Sequence, residues 1–132
     1  MSTGREIAAV AVGGAVGTGI RLGLDLLIPH DANSFPVSTL IINTLGAFAL
    51  GLIVARLWPI APAWLRAGLG AGLLGSFTTF SALAVSLVSL GSSGQWMLAL
   101  GYLVATLALG LTAAWLGLRT GRPAGEFDGV DE

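Results

Sequence analysis

The chain contains no cysteine and no lysine, a single histidine, a single tyrosine and only 10% charged residues. Without thiols there is no disulfide framework, no thiolate metal site and no cysteine nucleophile. The lone histidine, His30, has no second His or Cys and no carboxylate cluster at metal-ligand spacing, and it supplies no base for a buried nucleophile. Enzymatic chemistry is therefore not expected. The formal net charge is −1, and no nucleic-acid partner is expected either.

What the chain has instead is apolar surface and glycine. Hydrophobic residues make up 55% of it and 20 of its 132 residues are Gly, a combination typical of closely packed membrane helices. Four apolar runs, over about 7–28, 36–58, 62–90 and 95–118, each suffice to cross a hydrocarbon core of about 30 Å. Pro36 and Pro62 are placed where a first helical turn accepts proline. The short connections leave one four-helix domain over 1–120, followed by a tail, 121–132, whose Glu126, Asp128, Asp131 and Glu132 mark it as disordered and acidic. The first run is Gly-rich, contains Arg21 and ends without a small-x-small site, so it reads as a retained span and not as a cleavable signal.

The arginines are one-sided. With four spans, Arg5, Arg56, Arg66, Arg119 and Arg122 share one face of the membrane and none falls in the opposite loops, which places both termini in the cytoplasm by the positive-inside rule. Trp58, Trp64 and Trp115 near that face and Trp96 near the other suit interfacial belts. Small-xxx-small pairs at Gly13–Gly17, Gly19–Gly23, Ala47–Gly51 and Gly68–Gly72 predict close helix packing.

Few polar residues interrupt the spans. Asn43 is about 10 Å into the second, with Thr39 one turn before it on the same face. Its amide either bonds a neighbouring helix or donates to a desolvated anion while staying uncharged. Tyr102 and Thr106 form a second i, i+4 pair of donors on the fourth span, whereas Thr112 is rotated off that face. Arg21 must face protein or a water-filled vestibule, and Asp25, one turn on, is its expected partner.

Gly75-Ser76-Phe77-Thr78-Thr79-Phe80-Ser81 interrupts the third run near its middle. A helix broken at membrane depth frees carbonyls on one side and N–H groups on the other, and these must meet protein, water or an ion. The carbonyl end suits a cation, and the edge of the Phe80 ring, being electropositive, suits an anion. Gly75 is read as the residue whose backbone the turn requires.

In these residues the chain resembles the Fluc (CrcB-type) fluoride channels. The resemblance is carried by Gly13-Gly14-Ala15-Val16-Gly17-Thr18-Gly19-Ile20-Arg21, by Pro36, Thr39 and Asn43-Thr44-Leu45-Gly46, and by Gly75 through Ser81, and it extends to Thr120. It implies an all-α membrane protein of four transmembrane helices, the third broken mid-membrane, assembling as an antiparallel dimer in the cell membrane. It further implies passive fluoride export through two pores lined by Asn43, Phe80, Ser81, Tyr102 and Thr106. A structural Na+ at the dyad would take backbone carbonyls from Gly75 and Thr78, and Arg21 would have a structural or vestibule role. The family continues Thr-Thr-Phe-Ser-Thr-Phe, whereas Ala82 and Leu83 stand here, removing the second ring from this subunit. That loss and the arginine bias point to one half of a heterodimer with an opposite-topology paralogue. A structural subunit with a degenerate pore is the alternative. A small multidrug-type antiporter is the other, although no acid falls between Ile7 and Leu24 to exchange protons.

Overall fold

Sustained apolar runs without internal proline fold as helices, because only intra-segment hydrogen bonds satisfy the backbone in hydrocarbon. The computed structural model describes residues 2–28 and 35–122. It contains α1 (Ser2–Leu27), α2 (Val37–Arg56), α3 (Ala63–Ala67), a wide π-helical turn over Gly68–Leu74, α4 (Gly75–Phe77), α5 (Phe80–Ser92) and α6 (Trp96–Gly121). Among the described residues these give four stretches long and apolar enough to cross a membrane: Thr3–Leu27, Val37–Arg56, Ala63–Ser92 and Trp96–Gly121. The third is a composite of α3, the wide turn, α4 and α5, broken between the last two. His30 and Asp31, and the tail expected to be disordered from Pro123 onward, lie outside the described residues.

The two prolines stand one position earlier than the sequence suggests. Leu40 N–H donates to the Pro36 carbonyl (3.2 Å), and Leu65 and Arg66 N–H donate to that of Pro62 (3.1 Å each), so each proline caps its helix and does not open its first turn. Between α5 and α6 the chain turns on Gly94, whose φ of +78° is the only positive value among the described residues. Gln95 N–H reaches Leu90 O (2.9 Å) and Gly94 N–H reaches Gly91 O (3.1 Å), the paired bonds that close a helix C-terminus on a left-handed glycine.

Close packing joins spans of the same direction. On α1, a side chain at Gly13 would strike the Gly68 carbonyl and one at Gly17 the Leu73 carbonyl, while Gly68 and Gly72 face Ala9 and Val10 in return. Contact positions rise together along both segments, so the first and third spans run parallel. The same holds for α2 and α6, where Gly117 abuts Phe48 and, one turn on, Gly121 abuts Leu52. Such backbone-to-backbone approach supplies the dispersion that substitutes for hydrophobic driving force in lipid. Gly19 and Gly23, by contrast, pack against none of the described residues.

A small core of Leu83, Leu90, Ala99 and Tyr102 ties α5 to α6, with Phe35 and Leu40 packed on it. Leu83 is 7% exposed. Most other large apolar residues face outward, Ile7, Val12, Leu26 and Leu111 among them, as expected of a chain whose solvent is lipid. Arg5 lies over the Trp64 ring (5.8 Å) and Arg119 over Trp115 (5.1 Å), which brings the start of α1 and the start of the third span to one end of the bundle.

Candidate functional site

The break occupies two residues. Thr78 (φ −77°, ψ 153°) and Thr79 (φ −143°, ψ 117°) are extended between α4 and α5. Gly75 is not part of it: its φ of −62° and ψ of −31° are ordinary helical values, and an added Cβ would meet only Gly70 O, at 3.5 Å. The expectation that glycine is needed there for its backbone freedom is therefore incorrect. The distortion upstream is instead the π-helical turn, where Gly68 and Gly72 admit the backbone of α1.

Asn43 holds the break open. Its Oδ1 accepts from Thr79 N–H (2.8 Å) and its Nδ2 donates to the Thr79 carbonyl (3.0 Å), so the carboxamide pairs with a backbone 36 residues away as a neighbouring strand would. In an uninterrupted helix Thr79 N–H would close on the Gly75 carbonyl. Ala82 N–H, which would close on the Thr78 carbonyl, is taken instead by Thr79 Oγ1 (3.2 Å), the N-cap of α5. Asn43 and Thr79 thereby release the carbonyls of Gly75 and Thr78 from their helical partners. The Thr78 hydroxyl is engaged elsewhere, donating to Leu74 O (3.0 Å). What Thr78 has to offer a ligand is thus its backbone oxygen.

These groups share an outward-facing groove of about 330 Å³, lined by Asn43, Gly46, Leu74, Gly75 and Thr78. Gly46, one turn after Asn43, allows α2 this close: a side chain there would collide with the Thr78 methyl. Backbone carbonyl oxygen is a ligand type suited to a hard cation. Carbonyl ligands of this kind hold such an ion by charge–dipole attraction alone, leaving side chains free for other work.

Phe80 and Ser81 follow on the exposed side of α5. Phe80 is 80% exposed, and the Ser81 and Thr79 hydroxyls are 3.1 Å apart. Tyr102 lies elsewhere in the protomer, 0% exposed, with its ring edge-on to Phe35 at 5.4 Å. The hydroxyls of Thr39, Ser86 and Thr106 face that of Tyr102. Neither Tyr102 Oη nor Thr106 Oγ1 closes a well-formed hydrogen bond among the described residues. Both oxygens are thus enclosed in a small group of hydroxyls contributed by α2, α5 and α6. The protomer therefore brings Tyr102 together with Thr106, and Asn43 together with Thr78 and Thr79, but leaves Phe80 exposed, outside the core that holds Tyr102.

Arg21 lies in a cavity of about 420 Å³ whose walls include Thr18, Asp25, Thr39, Thr79 and Ser81. Thr39 belongs to both places, lining this cavity and facing Tyr102. Asp25 Oδ1 accepts from Ser38 Oγ at 2.8 Å. Sequence reasoning missed Ser38 and Ser86. Either serine reads as a helix-packing residue until its neighbour is known.

Comparison with known proteins places this sequence among relatives that match it over most of its length. A model of the CrcB-like protein family, Camphor Resistance (CrcB), matches residues 8–118. The fluoride-specific ion channel FluC 2 of Geobacillus kaustophilus is 38% identical over 118 residues, covering 87% of this chain and 92% of its own. The fluoride-specific ion channel FluC of Paracoccus denitrificans is 40% identical, covering 86% and 91%. FluC 2 of Symbiobacterium thermophilum is 42% identical over 120 residues, covering 86% and 94%. With a broken third span and a match running through all four, this chain belongs to the CrcB-like family.

Proposed function

We propose that the chain is a subunit of a fluoride-selective channel that lets fluoride leave the cytoplasm down its gradient. The observation that carries this reading is the Asn43–Thr79 pairing, which keeps a membrane helix open and leaves neutral donors and carbonyls where a charged residue would be expected. A small anion can shed its water only against donors that replace it, and uncharged ones admit no competing hydration shell. Asn43 retains a second amide hydrogen, and Phe80, Ser81, Tyr102 and Thr106 supply ring edge and hydroxyls. These five line the pores once two subunits meet. The printed names of relatives, fluoride-specific ion channels, support the same choice of ion.

The assembly is an antiparallel dimer in the plasma membrane, with a Na+ at the dyad held by the Gly75 and Thr78 carbonyls of both copies. This chain inserts with both termini in the cytoplasm, because five arginines on one face against none fix its orientation. Its partner is then a paralogue of opposite topology, in keeping with relatives numbered FluC 1 and FluC 2. Burial of Leu83 in the protomer core also favours a second reading, in which this subunit scaffolds a conducting partner. The test is efflux from liposomes loaded with fluoride and chloride and followed with ion-selective electrodes. Fluoride efflux without chloride efflux is expected. Equal efflux of both, or none with the partner present, refutes the reading.

A further inference from the structure

The Arg21 vestibule contains a residue that channel function does not call for. An anion approaching the break through this cavity meets one cation, Arg21, and also one carboxylate, Asp25. The carboxylate is not turned away at random. Ser38, 2% exposed on α2, donates to its Oδ1 at 2.8 Å and so fixes it across the gap between α1 and α2. The other described groups of the cavity that face it from α2 and the third span, Thr39, Ile42, Thr79, Ser81, Ala82 and Val85, carry no charge. Arg21 is the one opposing charge among the described residues that line the cavity.

We propose that Asp25 is a rate- and selectivity-setting residue of the vestibule: held by Ser38, it offsets the Arg21 guanidinium and lowers the local concentration of anions at the mouth of the break. This rests on the channel reading above. A guanidinium alone would raise the local concentration of anions at the mouth, of fluoride and of larger competitors alike. Adding a carboxylate about 8 Å away, the width of a cavity of this volume, reduces anion occupancy about 2- to 30-fold for effective dielectric constants of about 80 down to 20. The vestibule is then close to neutral, and discrimination falls to the neutral donors beyond it.

The experiment is fluoride efflux from liposomes containing the conducting assembly, at subsaturating fluoride and at about 20 mM and 0.5 M ionic strength with sulfate as the impermeant salt. Asp25→Asn keeps the shape and the acceptor for Ser38 but removes the charge. It should raise fluoride efflux about 2- to 30-fold at low salt, and the gain should shrink at high salt, where the screening length falls to a few ångströms. Ser38→Ala, which loses the hydrogen bond but keeps the charge, should not reproduce that gain. Arg21→Gln should lower efflux, and the double variant should return toward the parent rate. Efflux from Asp25→Asn equal to or below the parent overturns the proposal, as does a gain that survives high salt or is shared by Ser38→Ala. Asp25→Ser provides a second neutral variant. Failure of both neutral forms to assemble, with Ser38→Ala assembling normally, would make Asp25 purely structural and likewise overturn it. A parent assembly that conducts no fluoride refutes the channel reading instead.

Discussion

Replacing Asn43 with alanine should close the break. The substitution removes two hydrogen bonds, at 2.8 and 3.0 Å, and returns Thr79 N–H to competition for the Gly75 carbonyl. Interhelical hydrogen bonds in membranes contribute about 0.6 kcal/mol on average and about 1.7 at most, so the pair contributes about 1–3 kcal/mol. That corresponds to about a 5- to 150-fold shift toward the continuous helix. The continuous form consumes a carbonyl proposed above as a Na+ ligand and swings Phe80 about the helix axis, so two readouts should move together. Fluoride efflux should drop by at least fivefold, and the dimer fraction found by crosslinking should need more Na+ to reach half its maximum. Asn43→Asp retains the acceptor for Thr79 N–H and should assemble better than the alanine variant, yet conduct poorly because a carboxylate then faces the anion. Parent-like efflux and unchanged Na+ dependence in Asn43→Ala would refute the idea that this amide holds the break open.

Gly17→Ala drives a methyl onto the Leu73 carbonyl and should destabilise the fold by about 1–3 kcal/mol in reversible unfolding, while Gly19→Ala, whose Cβ meets nothing, should be neutral. Thr79→Val loses the cap on Ala82 N–H and should cost about 0.5–2 kcal/mol, with Thr79→Ser retaining most of the stability; equal losses would remove the capping role. A lone cysteine introduced by Ser2→Cys should react with an impermeant thiol reagent only from the cytoplasmic side. Labelling from both sides, with full transport by the chain alone, would favour a dual-topology homodimer.

Composition and run length were enough to read four spans, because the cost of an unsatisfied backbone in hydrocarbon leaves so few alternatives. The interruption at 75–81 was equally legible, since Thr-Thr beside glycine has poor helix propensity inside an otherwise uniform apolar stretch. Which residues leave the helix was not. Glycine invites blame for any break, but the residue that decides it is Asn43, and a partner 36 positions distant leaves no trace in local pattern. The π-helical turn was invisible for a related reason: its glycines respond to the backbone of α1, not to their own neighbours. Tyr102 and Thr106 were readable as a pair of donors, yet that they would be enclosed with Thr39 and Ser86 depends on how α2, α5 and α6 converge. The pairing of Asp25 with Ser38 was likewise hidden, because i, i+4 spacing to Arg21 offers a nearer explanation.

The preference of odd spans for odd and even for even has a consequence for biosynthesis. When α1 and α2 have left the ribosome, neither has met the helix against which its glycines fit. Gly13 and Gly17 await a segment centred some 55 residues downstream, and Gly51 waits for Ala114. The nascent hairpin must therefore persist in the bilayer, or beside the insertion machinery, with its closest-fitting faces still uncovered. Quality control acting on small-residue faces would see this protein as unfinished until the last helix is released.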